Sequence, residues 1–290
     1  MTYDAIIIGG SYAGLSAAMA LGRSLRTVLV IDSGKPCNRQ TPHSHNFLTH
    51  DGETPQAISE KAKRQVLAYD TVTFHEGLAT AAERTDGRFR VQTEAGETFL
   101  GKKLLFATGV ADEAPGISGF AECWGISVLH CPYCHGYEVK RQHLGVVANG
   151  DTGFEMAKLI SHWADKLTLF TNGASSLTEE QTAKIAGHGI EVIETRIESF
   201  RHTNGQLEKI LFADGSSREI SAVFAKAEIR QHCLIPEAMG CQIAEQGHIW
   251  IDDFHRTSIP GVYAAGDNTS LLRSVAQAVS AGNKSGAVMN

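Results

Sequence analysis

Short apolar runs alternate with helical spacing along this chain. Residues 4–8, DAIII, form a β-branched run that ends on GGSYAG. Leu15, Ala18, Met19 and Leu21 then recur at helical intervals, and TVLVID (27–32) predicts a second strand ending on Asp32. The same order returns later, where LGVVA (144–148) runs into NGDTGFEMAKLI and then KLTLF (166–170). Two strand–glycine turn–helix–strand units predict an α/β protein with two Rossmann-like, three-layer dinucleotide-binding domains. Residues 89–109 alternate as hairpin strands, and 204–220 predict a second hairpin. HIWIDD and GVYAAGD, within 248–267, read as strands, and a helix rich in small residues, 270–289, ends the chain. Residues 112–119, DEAPGISG, have the composition of a linker.

The glycines explain the turns. A strand that passes straight into a helix needs φ > 0 at the turn and bare backbone beside the helix N-terminus, where a pyrophosphate binds. Gly9 and Gly14 occupy the first and third positions of such a turn, and Ser11 replaces the middle glycine, where its hydroxyl can add a phosphate contact. Asp32 follows Gly14 by 18 residues, at the end of the second strand, where a carboxylate accepts ribose hydroxyls. The pattern by itself suits either FAD or NAD.

The second turn is altered. It reads Ala148-Asn149-Gly150-Asp151-Thr152-Gly153, and its first glycine has become alanine, which requires a negative φ there. An NAD site wants an acid at the end of the next strand, and an NADP site wants arginines for the 2′-phosphate. Thr171 and Asn172 stand at that strand end, and no arginine occurs between Arg141 and Arg196. Two readings follow: binding persists through backbone contacts with Lys or His placed by the fold, or the domain no longer uses NADPH, because a 2′-phosphate without a charged partner forfeits strong hydrogen bonds.

The remaining motif is HCPYCHGYEV (130–139). Structural zinc wants four N/S ligands, usually as two separated pairs, and here one CxxC stands alone. His130 and His135 adjoin it too closely for all four to wrap one ion, so no metal site is expected. Buried structural thiols suit Cys37, Cys123, Cys233 and Cys241, which have no partner at motif spacing. Cys131 and Cys134 can close a small disulfide ring, and a neighbouring imidazolium can raise the thiolate fraction. His135 follows the second cysteine, and a histidine that titrates near neutral pH can act as base as well as acid.

GGSYAGLSAA, ATG at 107–109, CxxC at 131–134 and TSIPGVYAAGD at 257–267 occur in an order that resembles the low-molecular-weight thioredoxin reductases and their relatives, over essentially the whole chain. That resemblance implies an FAD domain made of residues 1–112 and 230–290. It also implies an inserted NAD(P)-binding-like domain, 113–229, that carries the CxxC. The implied cofactor residues are Gly9, Ser11, Gly14, Asp32, His45, Thr108, Gly109, Gly266 and Asp267, the last of which would bond the ribityl chain. Cys134 would exchange electrons with the flavin and Cys131 would form the mixed disulfide with substrate. The resemblance places His43, His45, Asn46 and Phe47 near the flavin ring, where His45 or His43 would add a proton relay. It also implies a homodimer. In thioredoxin reductases an aspartate follows the second cysteine. CPYCHG looks more like the dithiol oxidases that close disulfides in small molecules such as gliotoxin and holomycin. The segment AKAEIRQH (225–232) has also lost the family's Gly-x-x-Pro-like stretch beside the nicotinamide.

The expectation is therefore an FAD-dependent thiol–disulfide oxidoreductase with NAD(P)H doubtful, leaning to a dithiol oxidase. The alternative is a thioredoxin-disulfide reductase fed by NAD(P)H or by a protein donor such as ferredoxin. The substrate would be a small-molecule dithiol or a thioredoxin-like protein. Composition narrows this little further. The 290 residues are 42% hydrophobic and carry a spread net charge of −6, with no basic block for nucleic acid. No apolar run is long enough to span a bilayer, and MTYDAIIIGG reads as a strand and not a signal peptide, so a cytoplasmic location is expected.

Overall fold

The computed structural model describes all residues, 1–290. The chain divides into two compact units: Met1–Arg39, Phe47–Asp112 and Ile229–Asn290 form one, and Gln40–Asn46 with Glu113–Glu228 form the other. The sequence placed residues 40–46 in the flavin domain. They pack instead with the second unit, where Thr41 lies beside Gly125 and the Gln40 amide donates to the Ala121 carbonyl.

The first unit begins with β1 (Thr2–Ile8), α1 (Tyr12–Arg23), β2 (Val28–Asp32), α2 (Pro55–Val66) and β3 (Val72–Glu76). A meander follows: β4 (Ala79–Thr85), β5 (Arg88–Thr93) and β6 (Thr98–Phe106), then β7 (Val110–Glu113). β1, β2, β3 and β6 are parallel neighbours, because helical or long crossovers join them; β4 and β5 extend the sheet antiparallel. The strand period of two divides the apolar run of β1. Ala5 and Ile7 face α1, while Ile6 and Ile8 pack with Phe89, Val91, Leu104 and Phe106 on the opposite side.

The second unit contains α3 (Phe120–Cys123), β8 (Val128–Leu129), α4 (Pro132–His135), β9 (His143–Val147), α5 (Gly150–Ile160), β10 (Lys166–Phe170), α6 (Glu179–Gly187) and β11 (Glu191–Ile193). Then come β12 (Ile197–Thr203), β13 (Gln206–Phe212), β14 (Ser217–Glu219) and β15 (Ala222–Ala225). Its parallel sheet has the order β11-β10-β9-β15-β8, and β12–β14 form a separate antiparallel sheet. One apolar cluster joins Leu144 and Val146 to α5 and α6; another joins Phe170 and Val223 to Phe200, Ile210 and Phe212. Helices, parallel sheet and antiparallel sheet are thus its three layers.

The chain returns through β16 (Glu228–Gln231), which pairs with β7, then α7 (Ile235–Ala238), β17 (Val262–Ala264) on the edge of β6, and α8 (Val275–Met289). HIWIDD is not a strand; it makes only one isolated bridge, Ile243 to Ile249. The last helix begins at Val275, not at residue 270, where the Ser274 side chain accepts from the Gln277 N–H. Its small residues have a packing reason. A β-carbon on Gly282 would overlap the Ala13 carbonyl, and one on Gly286 would lie 2.7 Å from the Ala17 carbonyl oxygen. The two ends of the chain therefore meet as touching helix backbones. No helix is long and apolar enough to cross a membrane.

Candidate active site

In the first unit, β1 delivers the chain to Gly9, whose φ of +104° only glycine adopts readily. Gly14 serves close packing, since a β-carbon there would overlap the Gly9 carbonyl oxygen. Helix α1 starts at Ser11 with no side-chain cap and no acid in its first turn. Its free N–H groups and positive end remain available to an anion. Asp32 accepts from the Gly10 N–H at 2.8 Å and from the Gly34 N–H at 3.1 Å, which fixes its carboxylate at the strand end. Each oxygen keeps a lone pair for a further donor.

The 266–268 turn lies against this one: Gly266 comes close to the Ala13 methyl, and Asn268 is fully buried. The Asn268 amide donates to the Phe106 carbonyl at 3.0 Å and to Thr108 Oγ1 at 3.3 Å, tying the ATG turn to the Gly266–Asp267 turn. Asn268 Oδ1 and His248 Nε2 are buried with no partner. Asp267 is raised above the usual carboxylate range by burial, despite Arg273 Nε at 3.4 Å. Arg273 also holds Asp112 through two bonds of 2.6 and 3.0 Å. Burial would lower the Arg273 guanidinium, but the two carboxylates outweigh it and keep it charged. Cys37 is not a core thiol. The residue is exposed, its Sγ lies 3.8 Å from Asp267, and desolvation of the sulfur with the nearby negative charge pushes it up to about 11. Cys233 is half-buried, and Cys123 and Cys241 are buried as the sequence implied.

In the second unit, Pro132–His135 form one helical turn with Cys131 just before it. Proline suits that first position because its missing N–H has no helical acceptor anyway. The two sulfur atoms lie 2.6 Å apart. The hydrogen bond from Cys134 is the main reason the Cys131 thiol falls to about 7; backbone N–H groups of Cys134 and Tyr133 add to it against burial. His135 corrects an expectation. It does not titrate near neutral pH: burial, then the positive character of His130 and His45, push it down to about 4, with Glu138 opposing. It is a neutral imidazole at physiological pH. His45 belongs to this cluster and not to the first unit. Its Nε2 is 3.6 Å from Glu138 Oε1, and its ring stands edge-on to that of His135, 6.4 Å between centroids. Among the sequence-predicted residues the structure therefore joins Cys131, Cys134, His135 and His45. It adds Glu138, which only its place three residues after His135 could have marked. No group of three or more His, Cys, Asp or Glu is arranged to hold a metal ion.

The altered turn of the second unit is filled by its own side chains. Ala148 tolerates its position because its φ is negative. Asn149 Oδ1 accepts from the Gly150 N–H at 2.8 Å and the Ser176 N–H at 2.9 Å, and its amide donates to the Ala174 carbonyl. The segment after β10 is thereby folded onto the N-terminus of α5. Asp151 stands in the first turn of that helix, and Glu194 accepts from the Ser175 N–H. Asn172 accepts from the Ile197 N–H and Thr171 donates to the Gly173 carbonyl, so both strand-end side chains are engaged within the protein. Two carboxylates and a capped helix end replace the positive, open surface that a dinucleotide phosphate needs.

Residues 3–282 match the pyridine nucleotide-disulphide oxidoreductase family. The chain belongs to that family. It is 34% identical to a protein of Claviceps purpurea named thioredoxin reductase tcpT, over 98% of this chain and 92% of that one. It is 30% identical to thioredoxin reductase sirT of Leptosphaeria maculans, over 99% and 93%. An oxidoreductase from Agrobacterium tumefaciens superposes with a TM-score of 0.94 at 38% identity, covering 100% of this chain and 97% of that one. As a member of this family the protein is a flavin-dependent disulfide oxidoreductase, and FAD is its cofactor. The first unit fits that group: two glycines leave a backbone cradle, α1 offers uncapped N–H groups, Asp32 offers lone pairs, and Asn268 Oδ1 remains buried without a donor.

Proposed function

We propose that this protein is a dithiol oxidase that does not take electrons from NADPH. The observation that carries the reading is the filled dinucleotide turn of the second unit. Asn149 takes the Gly150 N–H and ties the 174–176 segment over the α5 N-terminus, and Asp151 and Glu194 add negative charge there. A nicotinamide dinucleotide phosphate approaching there meets repulsion where it needs cations.

In this reading Gly9, Ser11, Gly14, Asp32, Thr108, Gly109, Gly266 and Asp267 hold the cofactor. FAD, when bound, supplies the two-electron acceptor that regenerates the protein disulfide, and oxygen is the final acceptor. A thiolate of the substrate attacks Cys131 of the Cys131–Cys134 disulfide; the S–S bond breaks and Cys134 leaves as thiolate. The second substrate thiol loses its proton and attacks the substrate sulfur of the mixed disulfide, which releases Cys131 and closes the substrate disulfide. Two electrons now rest on the cysteine pair and two protons must leave. A thiol held near 7 is a good leaving group at neutral pH. His135, held neutral, accepts a proton and cannot store it, so His45 and Glu138 pass it on. Relatives named thioredoxin reductase keep the opposite direction as the second reading.

The test is anaerobic flavin reduction followed by visible absorbance, with NADPH, NADH and dithiothreitol added in turn. Bleaching by the dithiol alone, with recovery on admitting air, is the expected result. Rapid bleaching by either nicotinamide would overturn the reading and make the enzyme a reductase.

A further inference from the structure

Asp267, Arg273 and Asp112 form a chain of charges in the first unit, with side chains 17%, 12% and 12% exposed. The course of the backbone creates it. Gly266 turns with a φ of +96°, and the Thr269 N–H returns to the Gly266 carbonyl at 3.0 Å. Arg273 follows just before Ser274, the cap of α8, and its side chain reaches back to the turn. The guanidinium divides its donors. Nη1 and Nη2 donate to the two oxygens of Asp112, and Nε donates to Asp267 Oδ2 at 3.4 Å. Cys37 Sγ donates to that same oxygen at 3.8 Å. Both contacts fall on Oδ2, so Asp267 Oδ1 keeps its lone pairs for a donor outside the protein.

Two carboxylates thus share one guanidinium. The other titratable neighbours bring no compensating charge at neutral pH. Cys37 is pushed up to about 11 and stays a thiol, and burial lowers His248, which stays a neutral imidazole. The remaining positive influence is the N-terminal turn of α1, whose Ala13 methyl lies close to Gly266. Without Arg273, two carboxylates would share a desolvated site, where one of them takes a proton. Asp267 is the one that burial already raises.

We propose that Arg273 is a positioning residue for the flavin cofactor: it occupies Asp267 Oδ2 and keeps the carboxylate ionised, so that Oδ1 accepts a hydroxyl of the ribityl chain. This rests on Asp267 as a cofactor ligand and is independent of the direction of electron flow. An ionised acceptor makes hydrogen bonds roughly twice as strong as a neutral one. Cofactor affinity is therefore complete at pH values where Asp267 of the empty protein is ionised, and it falls as pH drops through the pKa of that group. Arg273 lowers that pKa and Asp112 raises it, so the two residues move the acid limit of flavin retention in opposite directions.

The test measures FAD release from the diluted holoenzyme, read as the rise in flavin fluorescence, across a series of pH values. Wild type is compared with Arg273→Gln, Asp112→Asn and Asp267→Asn. In Arg273→Gln the midpoint of release should move up by roughly one to three pH units, the shift that a lost opposite charge produces. Its affinity near neutral pH should fall about tenfold, as expected when a charge-assisted bond becomes a neutral one. In Asp112→Asn the midpoint should move down, since Arg273 then serves Asp267 alone. Asp267→Asn should bind more weakly and lose this pH dependence. A protonated-carboxyl stretch in the infrared spectrum of Arg273→Gln near neutral pH, absent when Asp267→Asn is added, would identify the group. A purely structural ion pair predicts otherwise: Arg273→Gln and Asp112→Asn would weaken FAD alike, with no shift of midpoint, and that result overturns the proposal. If Arg273→Gln does not fold, the downward shift in Asp112→Asn decides, and an unmoved or raised midpoint there refutes it. If Asp267→Asn retains FAD as wild type does, Asp267 is not a cofactor ligand and both readings fall. If it weakens FAD while the other two variants leave the midpoint unmoved, only the role of Arg273 falls.

Discussion

Replacing His135 by asparagine should remove a specific acid sensitivity. The unfolded imidazole takes up its proton at the ordinary value of 6.5, whereas in the folded protein it does so only at about 4. Between those values the unfolded chain binds more protons, so falling pH favours unfolding, and the stability that neutral His135 contributes is complete above 6.5 and gone below 4. The gap corresponds to roughly 3 kcal/mol in total, and to about 2 kcal/mol between pH 7 and pH 5, at about 1.4 kcal/mol for each pH unit. His143, His248 and His255 are also lowered by burial, so both proteins lose stability in acid. The comparison isolates one residue because those three are common to both. Urea unfolding midpoints at pH 7 and pH 5, for wild type and His135→Asn, are the assay. The wild type should lose about 2 kcal/mol more than the variant over this range. Parallel losses would mean that His135 titrates near its ordinary value when folded, and the account of a neutral proton acceptor beside the cysteines would then be wrong.

Other consequences can be checked directly. Alkylation of reduced Cys131 by iodoacetamide, followed by mass spectrometry, should rise with an inflection at about 7, and Cys134→Ala should move it upward because the Cys134 hydrogen bond is its chief cause. Gly14→Ala should yield protein without flavin absorbance, since its β-carbon overlaps the Gly9 carbonyl oxygen and forces the cradle apart. Asp112→Asn should cost about 1.5–3 kcal/mol in urea unfolding, because it removes the two-bond ion pair to Arg273 while Asp267 still holds the guanidinium.

The apolar runs of 4–8, 28–32, 144–147 and 166–170 were legible because a strand between two layers needs nothing but continuous β-branched or aliphatic residues. Gly9, Gly14 and Asp32 were legible because a turn of that geometry admits few residue types. HIWIDD misled, since alternation is satisfied equally by a coil whose Ile249 docks into a core built by distant strands. Local pattern could not place Cys37, whose exposure depends on where the 34–39 loop lies. The sequence by itself determined the two dinucleotide-type units, the cofactor turn and the redox pair, for each is written in a short contiguous stretch. Only tertiary structure decided the protonation of His135, because burial and the charges of His45, His130 and Glu138 set it. Only tertiary structure brought His45 into the second unit, and filled the second turn with Asn149, Asp151 and Glu194. Those groups come from segments up to about 90 residues apart, and their free energies depend on distance and desolvation, which no local spacing encodes.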